Sequence, residues 1–187
     1  RESFKKMKTS RFRLNDGFRQ RIWLWKDLKR RVRRAERRIL VNNAYFLPKA
    51  SLLRNLRTAA RRGAFVGICI PFKTDVWIVR EAGRVMLRKL LLDGVRVYEF
   101  QPSMMHAKTM VIDDWATVGS YNLNHRSLFH DLEVDFVLRE KEQIDDLVKQ
   151  WDKDIGNSHL ITLAELDQDT WARRLLGRLL YLLRYWM

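Results

Sequence analysis

The chain contains one cysteine, Cys69, in 187 residues. That count excludes an internal disulfide and a thiolate metal cluster, and it suits a reducing compartment. Cys69 falls in an apolar run that reads as buried strand, where a free thiol behaves as a small hydrophobe. Histidine is scarce as well, at four residues, so histidine chemistry has few candidates. No run approaches the roughly 18 to 20 uncharged apolar residues that a membrane-crossing helix needs, and no apolar-cored signal peptide opens the chain. The first residue is Arg1 rather than Met, which reads as a piece of a longer protein. Acids are outnumbered, 22 Asp and Glu against 37 Lys and Arg, for a net charge of +15. The partner surface is therefore expected to be anionic: nucleic acid, acidic lipid headgroups or a phosphorylated substrate.

What is present suits one ordinary domain with its own core, since 47% of the residues are apolar. Residues 11–15 alternate basic and apolar side chains before Asp16-Gly17, as a short edge strand closed by a turn does. Residues 18–38 predict a basic amphipathic helix, with Ile22, Trp25, Leu28 and Val32 on one side and Lys29, Arg30, Arg31, Arg33 and Arg34 largely on the other. That cationic face is either solvated or in contact with phosphates. Residues 39–47, 65–70 and 95–100 read as strands, the first two apolar enough to be buried on both faces. Helices lie between them, over 51–62 with Ser51 as N-cap, and to Leu92 from Thr74 or Asp75. Strands follow at 109–112 and 115–118 across a tight turn at Asp113-Asp114, then at 132–138, with a helix over 140–153. The alternation predicts an α/β fold, a mixed and largely parallel sheet flanked by helices on both faces.

Candidate chemistry is concentrated in residues 104–138. Side chains two apart on an extended segment share a face, so His106 and Lys108 aim an imidazole and an ammonium at one point. Histidine can attack phosphorus or pass a proton near neutral pH, and lysine sets a positive charge against phosphate oxygens. Ser120 and Asn122, again two apart, offer neutral hydrogen-bonding groups beside Gly119, whose missing side chain lets a ligand approach. Glu133 is a candidate to orient the histidine through its second ring nitrogen. His125, His130 and Asp131 match no trusted metal-ligand spacing, so neither a metal nor a cofactor is expected.

Together, His106-x-Lys108-x4-Asp113, Gly119-Ser120-x-Asn122 and the following Glu133 resemble the phospholipase D superfamily, over roughly residues 11–157. The run Asn43-Ala44-Tyr45-Phe46-Leu47-Pro48 looks like the one that opens the main sheet in the C-terminal half of bacterial cardiolipin synthases. The resemblance implies a phospholipase D-like catalytic half at residues 1–165. It implies His106 as nucleophile or general acid, Lys108, Ser120 and Asn122 on the phosphate, and Glu133 bonded to the histidine. Asp113 completes the written motif, either as a catalytic residue or, as is usual in the family, a structural one. Five residues separate Asp113 from Gly119 where the family has six, which implies a turn tightened by one. The resemblance also implies two facing motifs, and this chain carries one, because His125, His130 and His159 lie in no His-x-Lys context. A missing N-terminal half would supply the second, or a second copy of the chain in a homodimer. In the first case His106 is the general acid/base and the absent histidine the nucleophile.

Residues 166–187 read as a basic amphipathic C-terminal helix. Leu175, Leu176, Leu179, Leu180, Leu182, Leu183, Trp186 and Met187 fall on one side at about 100° per residue, and Arg173, Arg174, Arg178 and Arg184 on the other, with Tyr181 and Tyr185 among them. Such a helix lies in a lipid interface with its arginines on anionic headgroups, or docks on its own domain or on the missing half. The expected protein is a peripheral enzyme on the cytoplasmic face of the bacterial cytoplasmic membrane. It would move a phosphatidyl group from one phospholipid to the glycerol hydroxyl of phosphatidylglycerol or a similar acceptor through a phosphohistidine. The alternatives are a phospholipase D or nuclease that uses water, and a silent module that binds anionic membrane or nucleic acid.

Overall fold

The computed structural model describes residues 11–183 and 185. Residues 1–10, Arg184, Trp186 and Met187 lie outside the described residues, and with them the first stretch of the expected catalytic half and the end of the expected tail helix. Eight strands form one sheet: β1 (Phe12–Leu14), β2 (Arg38–Asn43), β3 (Phe65–Pro71), β4 (Arg96–Phe100), β5 (Lys108–Ile112), β6 (Trp115–Gly119), β7 (Val134–Leu138) and β8 (Ser158–Leu160). Their spatial order is β1-β7-β6-β5-β2-β3-β4-β8. The helices are α1 (Phe18–Arg34), α2 (Ala50–Arg61), α3 (Trp77–Leu92), α4 (His125–Phe129), α5 (Lys141–Gly156), α6 (Leu163–Asp167) and α7 (Trp171–Leu182).

The expected α/β fold with a mixed sheet is present, and its parallel part is smaller than the strand–helix alternation suggests. Only β2–β3 and β3–β4 pair in parallel; the other pairings are antiparallel. Parallel neighbours need a long crossover, and helical crossovers end at β4. From Lys108 onward the strands pair antiparallel, β5 and β6 across the tight turn at Asp113-Asp114.

Alternation along each strand splits the core. Ile39, Val41, Ile68 and Val97 face α1, α2 and α3 and pack with Val32, Leu52, Leu56 and Met86. Leu40, Cys69, Tyr98 and Val111 face α5, where Ile144 and Trp151 cover them. Burial in this second layer pushes the Cys69 thiol up to about 11, so it is an inert hydrophobe rather than a nucleophile.

Several boundaries differ from expectation for identifiable reasons. α1 stops at Arg34 instead of reaching residue 38, because the Asp113 carboxylate accepts the backbone N–H groups of Glu36, Arg37 and Arg38 at 3.0, 2.9 and 3.0 Å. Those amides are thereby turned into the lead-in to β2. Ser51, Thr74 and Asp75 do not stand at the N-cap positions: α2 starts after Lys49 and α3 after Val76, neither of which makes a side-chain capping bond, although the Thr74 hydroxyl accepts the Val76 N–H at 3.2 Å. The basic face of α1 is partly spent inside the protein. Buried Asp27 accepts from Arg13 at 3.0 Å, from Arg31 at 2.9 Å and from Arg30. The segment from residue 166 divides between α6, which holds Leu166, and α7.

Candidate active site

Sheet connectivity gathers the site at one end of the sheet. β5 runs antiparallel to β2, so Lys108 lies beside Asn43 where β2 ends. β6 returns to the same end, and β7 leaves from it with Asp135 opposite Gly119. The parallel strands also finish here, at the edge where α/β proteins hold ligands.

His106 stands exposed in the loop before β5, and Lys108 is buried behind it. The Lys108 ammonium donates to the His106 carbonyl at 2.8 Å and lies 5.9 Å from the Tyr45 ring centroid. Burial lowers its pKa, while the charges of Glu133 and Asp75 work in the opposite direction. The Tyr45 ring meets His106 edge-on, with centroids 5.7 Å apart at 80°. Its hydroxyl donates to both carboxylate oxygens of Asp75, at 2.7 and 2.9 Å. That bond is the main reason the Asp75 carboxyl is held below the usual range, and the nearby His106 contributes.

The other expected residues fall into two groups. Asn122 lies in the loop that leaves β6 at this sheet end: it is buried, and its Oδ1 has no hydrogen-bond partner among the described residues. Asn43 pins the loop that carries it, donating to the Tyr121 carbonyl at 3.4 Å and accepting the Leu123 N–H at 3.1 Å. Ser120 is at the same end, although its Oγ already accepts the Val134 N–H at 3.0 Å.

Glu133 is buried near Lys108, but among the described residues it makes no hydrogen bond to His106. Asn15 fixes its backbone, accepting the Glu133 N–H at 2.6 Å and donating its own N–H to the Glu133 carbonyl at 3.1 Å. It therefore stays at the head of β7, two strands from β5, or about 10 Å at normal strand spacing. The structure does not bring Asp113 to the site at all. It occupies the β5–β6 turn with φ 50°, at the far end of β5, roughly 17 Å along the strand from Lys108.

Gly119 is required for a different reason from the one expected. A Cβ there would lie 2.2 Å from Asp135 Oδ1 and 2.3 Å from the Val134 carbonyl, so the missing side chain makes room for β7 rather than for a ligand. Burial pushes the Asp135 carboxyl up to about 6, against the pull of the Tyr121 N–H at 3.4 Å and the charge of Arg13.

Sequence reasoning missed Asn43, Tyr45 and Asp75. The first two lay in plain view as polar residues closing a buried strand; Asp75 was read as a helix cap, and only the fold shows it meeting Tyr45. The rival metal set does not converge. His125 packs its ring 4.4 Å from that of Tyr185, and Asp131 pairs with Arg126 at 3.0 Å.

Comparison with known proteins gives the family. The structure is similar to a phospholipase D family member, Nuc from Salmonella typhimurium, with a TM-score of 0.66 at 14% identity, covering 80% of this chain and 95% of that one. It is also similar to phosphatidylserine synthase of Haemophilus influenzae Rd KW20, with a TM-score of 0.70 at 16% identity, covering 88% of this chain and 45% of that one. These two likenesses concern the fold. In sequence the chain is 34% identical over 148 residues to cardiolipin synthase A of Serratia proteamaculans (strain 568), which is 79% of this chain and 30% of the relative. It is 34% identical over 137 residues to cardiolipin synthase B of Salmonella typhi, 67% of this chain and 33% of the relative. The chain thus spans about a third of the length of these relatives. The family described as "Cardiolipin synthase, PLD-like domain" matches residues 28–155, most of the chain, and the chain belongs to that family.

Proposed function

We propose that this chain supplies one half of a two-histidine site for phosphatidyl transfer of the cardiolipin synthase type. The observation that carries the reading is the pairing of an exposed His106 with a buried Lys108 at one sheet end, where the loop after β6 also carries the buried amide of Asn122. A tetrahedral phosphodiester fits that combination of a nucleophile or proton carrier, a cation and an amide whose NH2 group can donate to its oxygens. Relatives named cardiolipin synthase at 34% identity support a phospholipid as the phosphodiester.

In this mechanism one histidine attacks phosphorus and forms a P–N bond as the P–O bond to the leaving glycerol breaks. The second histidine protonates that oxygen. It then takes the proton of an incoming lipid hydroxyl, which attacks phosphorus and frees the first histidine. No metal or cofactor enters the balance. Lys108 and Asn122 hold the phosphate oxygens, Ser120 fixes the loop through β7, Glu133 offsets the Lys108 charge, and Asp113 serves the fold.

His106 is the general acid/base when an N-terminal half supplies the nucleophile, and plays both roles in turn when two copies of the chain pair. The sheet leaves a place for that second half. On the same side of the sheet as α5, Phe12, Leu14, Val118 and Val134 are exposed together on β1, β6 and β7, toward the sheet end that holds the site. A peripheral position on the cytoplasmic face of the membrane completes the proposal. Among the described residues no helix is long and apolar enough to cross a membrane.

The test is conversion of labelled phosphatidylglycerol into cardiolipin plus glycerol by the full protein. His106→Ala should abolish it, and retained turnover would refute the reading. Phosphatidic acid as the product would identify water as the acceptor, and hence hydrolysis.

A further inference from the structure

α7 lies antiparallel along α3 and turns its polar side inward. Gly177 sits at the contact, where a Cβ would come within 3.0 Å of the Glu81 carbonyl and 3.2 Å of Val85. Arg173 donates to Glu81 at 2.7 and 2.9 Å and to Asp169 at 3.2 Å. Arg84 reaches Asp169 at 2.6 and 3.0 Å, Arg88 pairs with Asp167, and Arg174 donates to the Asp167 carbonyl at 2.6 Å. The arginines that sequence alone would lay on headgroups include two, Arg173 and Arg174, that hold the helix to its own domain.

The opposite side of α7 is correspondingly bare. Trp171, Leu175, Leu179, Leu182 and Leu183 all face outward, with Trp171 78% and Leu182 66% exposed. Beyond the end of α7 the chain reaches the helix that follows Asn122 in sequence, through Tyr185 and His125. At the start of α3, against which α7 packs, Trp77 is 56% exposed two residues after Asp75. Tyr185 packs against His125, in the helix that follows Asn122, and exposed Phe129 is on the same helix.

We infer that this strip is a lipid-facing plane which lays the protein on a bilayer with the mouth of the His106 site at headgroup level. Five large apolar side chains with tryptophan and tyrosine at the margins match the acyl–headgroup boundary, and exposed Arg178 beside them suits anionic lipid, as does the net charge of +15. A protein partner fits less well, because a partner seated over a plane that abuts the mouth would cover the entrance that a lipid must use. The inference rests on the proposed phospholipid substrate for the meaning of that orientation, whereas the binding itself needs no turnover.

The test is sedimentation of the full chain with phosphatidylglycerol vesicles, for wild type, for Leu175→Asp/Leu179→Asp/Leu182→Asp and for His106→Ala. The triple variant should lose vesicle binding by roughly ten-fold or more, with an unchanged circular dichroism spectrum and melting point because its sites are exposed. His106→Ala should bind like wild type. Brominated acyl chains should quench a component of the emission that Trp171→Phe removes. Equal vesicle binding by the triple variant would overturn the inference. So would a lipid-free wild-type dimer that the triple variant dissociates, since the plane would then face protein. Intact binding without lipid transfer would count against the catalytic reading and leave this plane standing.

Discussion

The Tyr45 hydroxyl donates to Asp75 at 2.7 Å while the same ring stands edge-on to His106. Asp75 is thereby linked to the His106 ring through Tyr45. Burial, and then the Asp75 bond, push the Tyr45 phenol up to about 12. The neutral phenol is thus favoured by folding, and its stabilisation holds below the ordinary tyrosine range near 10 and is lost as pH rises through about 12. Asp75→Asn should bring the phenol down toward its ordinary value, read as tyrosinate absorbance against Tyr45→Phe. Tyr45→Phe should lower the transfer rate about ten-fold with little change in KM, because it frees the ring that positions His106.

Asp113 should prove to be a folding residue. Burial opposes its charge, but the amides of Arg38, Glu36 and Arg37 outweigh that and hold its carboxyl below the usual range. A depressed carboxylate contributes stability above its unfolded pKa, near 3.8, that is lost as pH falls through the folded value. Asp113→Ala should cost about 2 kcal/mol in urea denaturation, concentrated at the junction of α1 and β2. Turnover per folded molecule should be unchanged. A large loss of turnover in fully folded protein would return Asp113 to the catalytic set.

How far the sequence could be read follows from which interactions are local. The strands at 65–70 and 95–100, the turn at Asp113-Asp114 and the shared sheet end of His106, Lys108 and Asn122 follow from periodicity and spacing within short stretches. The α1 boundary does not, because the carboxylate that ends the helix comes from 75 to 77 residues away in the chain. The same holds for Tyr45 and Asp75, which meet only after β2 and β3 are side by side. Gly119 shows a third limit: a glycine beside a phosphate-binding pattern looks like room for a ligand, and only the register with β7 reveals that Asp135 occupies the space.

That register makes Gly119 and Asp135 a coupled pair. Gly119→Ala should destabilise the protein by about 1–3 kcal/mol, since the backbone of Val134 and Asp135 stands in the way along with the Asp135 carboxylate. Asp135 carries a cost of its own. Its folded carboxyl, pushed up to about 6, prefers the proton more than the unfolded one does, so its contribution favours the fold at low pH and is lost as pH rises from about 4 through 6. Asp135→Asn should therefore raise stability above pH 7, on the order of 1–2 kcal/mol, and flatten that part of the stability profile. Chemical denaturation of both proteins at pH 5 and pH 8 measures the difference directly. An identical pH dependence would mean that Asp135 ionises as freely as in the unfolded chain.

Asn122 separates folding from function most sharply. A buried amide oxygen without a partner lowers stability, while the NH2 group of the same amide is the donor that a phosphate oxygen can take. Asn122→Ala removes the orphan, so it should leave stability unchanged or raise it by about 1 kcal/mol. The same change should reduce phosphatidyl transfer by roughly ten- to a hundred-fold. Wild type should also be stabilised by inorganic phosphate or vanadate, seen as a rise in melting temperature, and the variant should lose that rise. Loss of stability in the variant, with the anion response intact, would mean that Asn122 packs the loop instead of meeting the phosphate. The loop would still be held by Asn43, whose bonds to Tyr121 and Leu123 bracket position 122 and do not depend on its side chain.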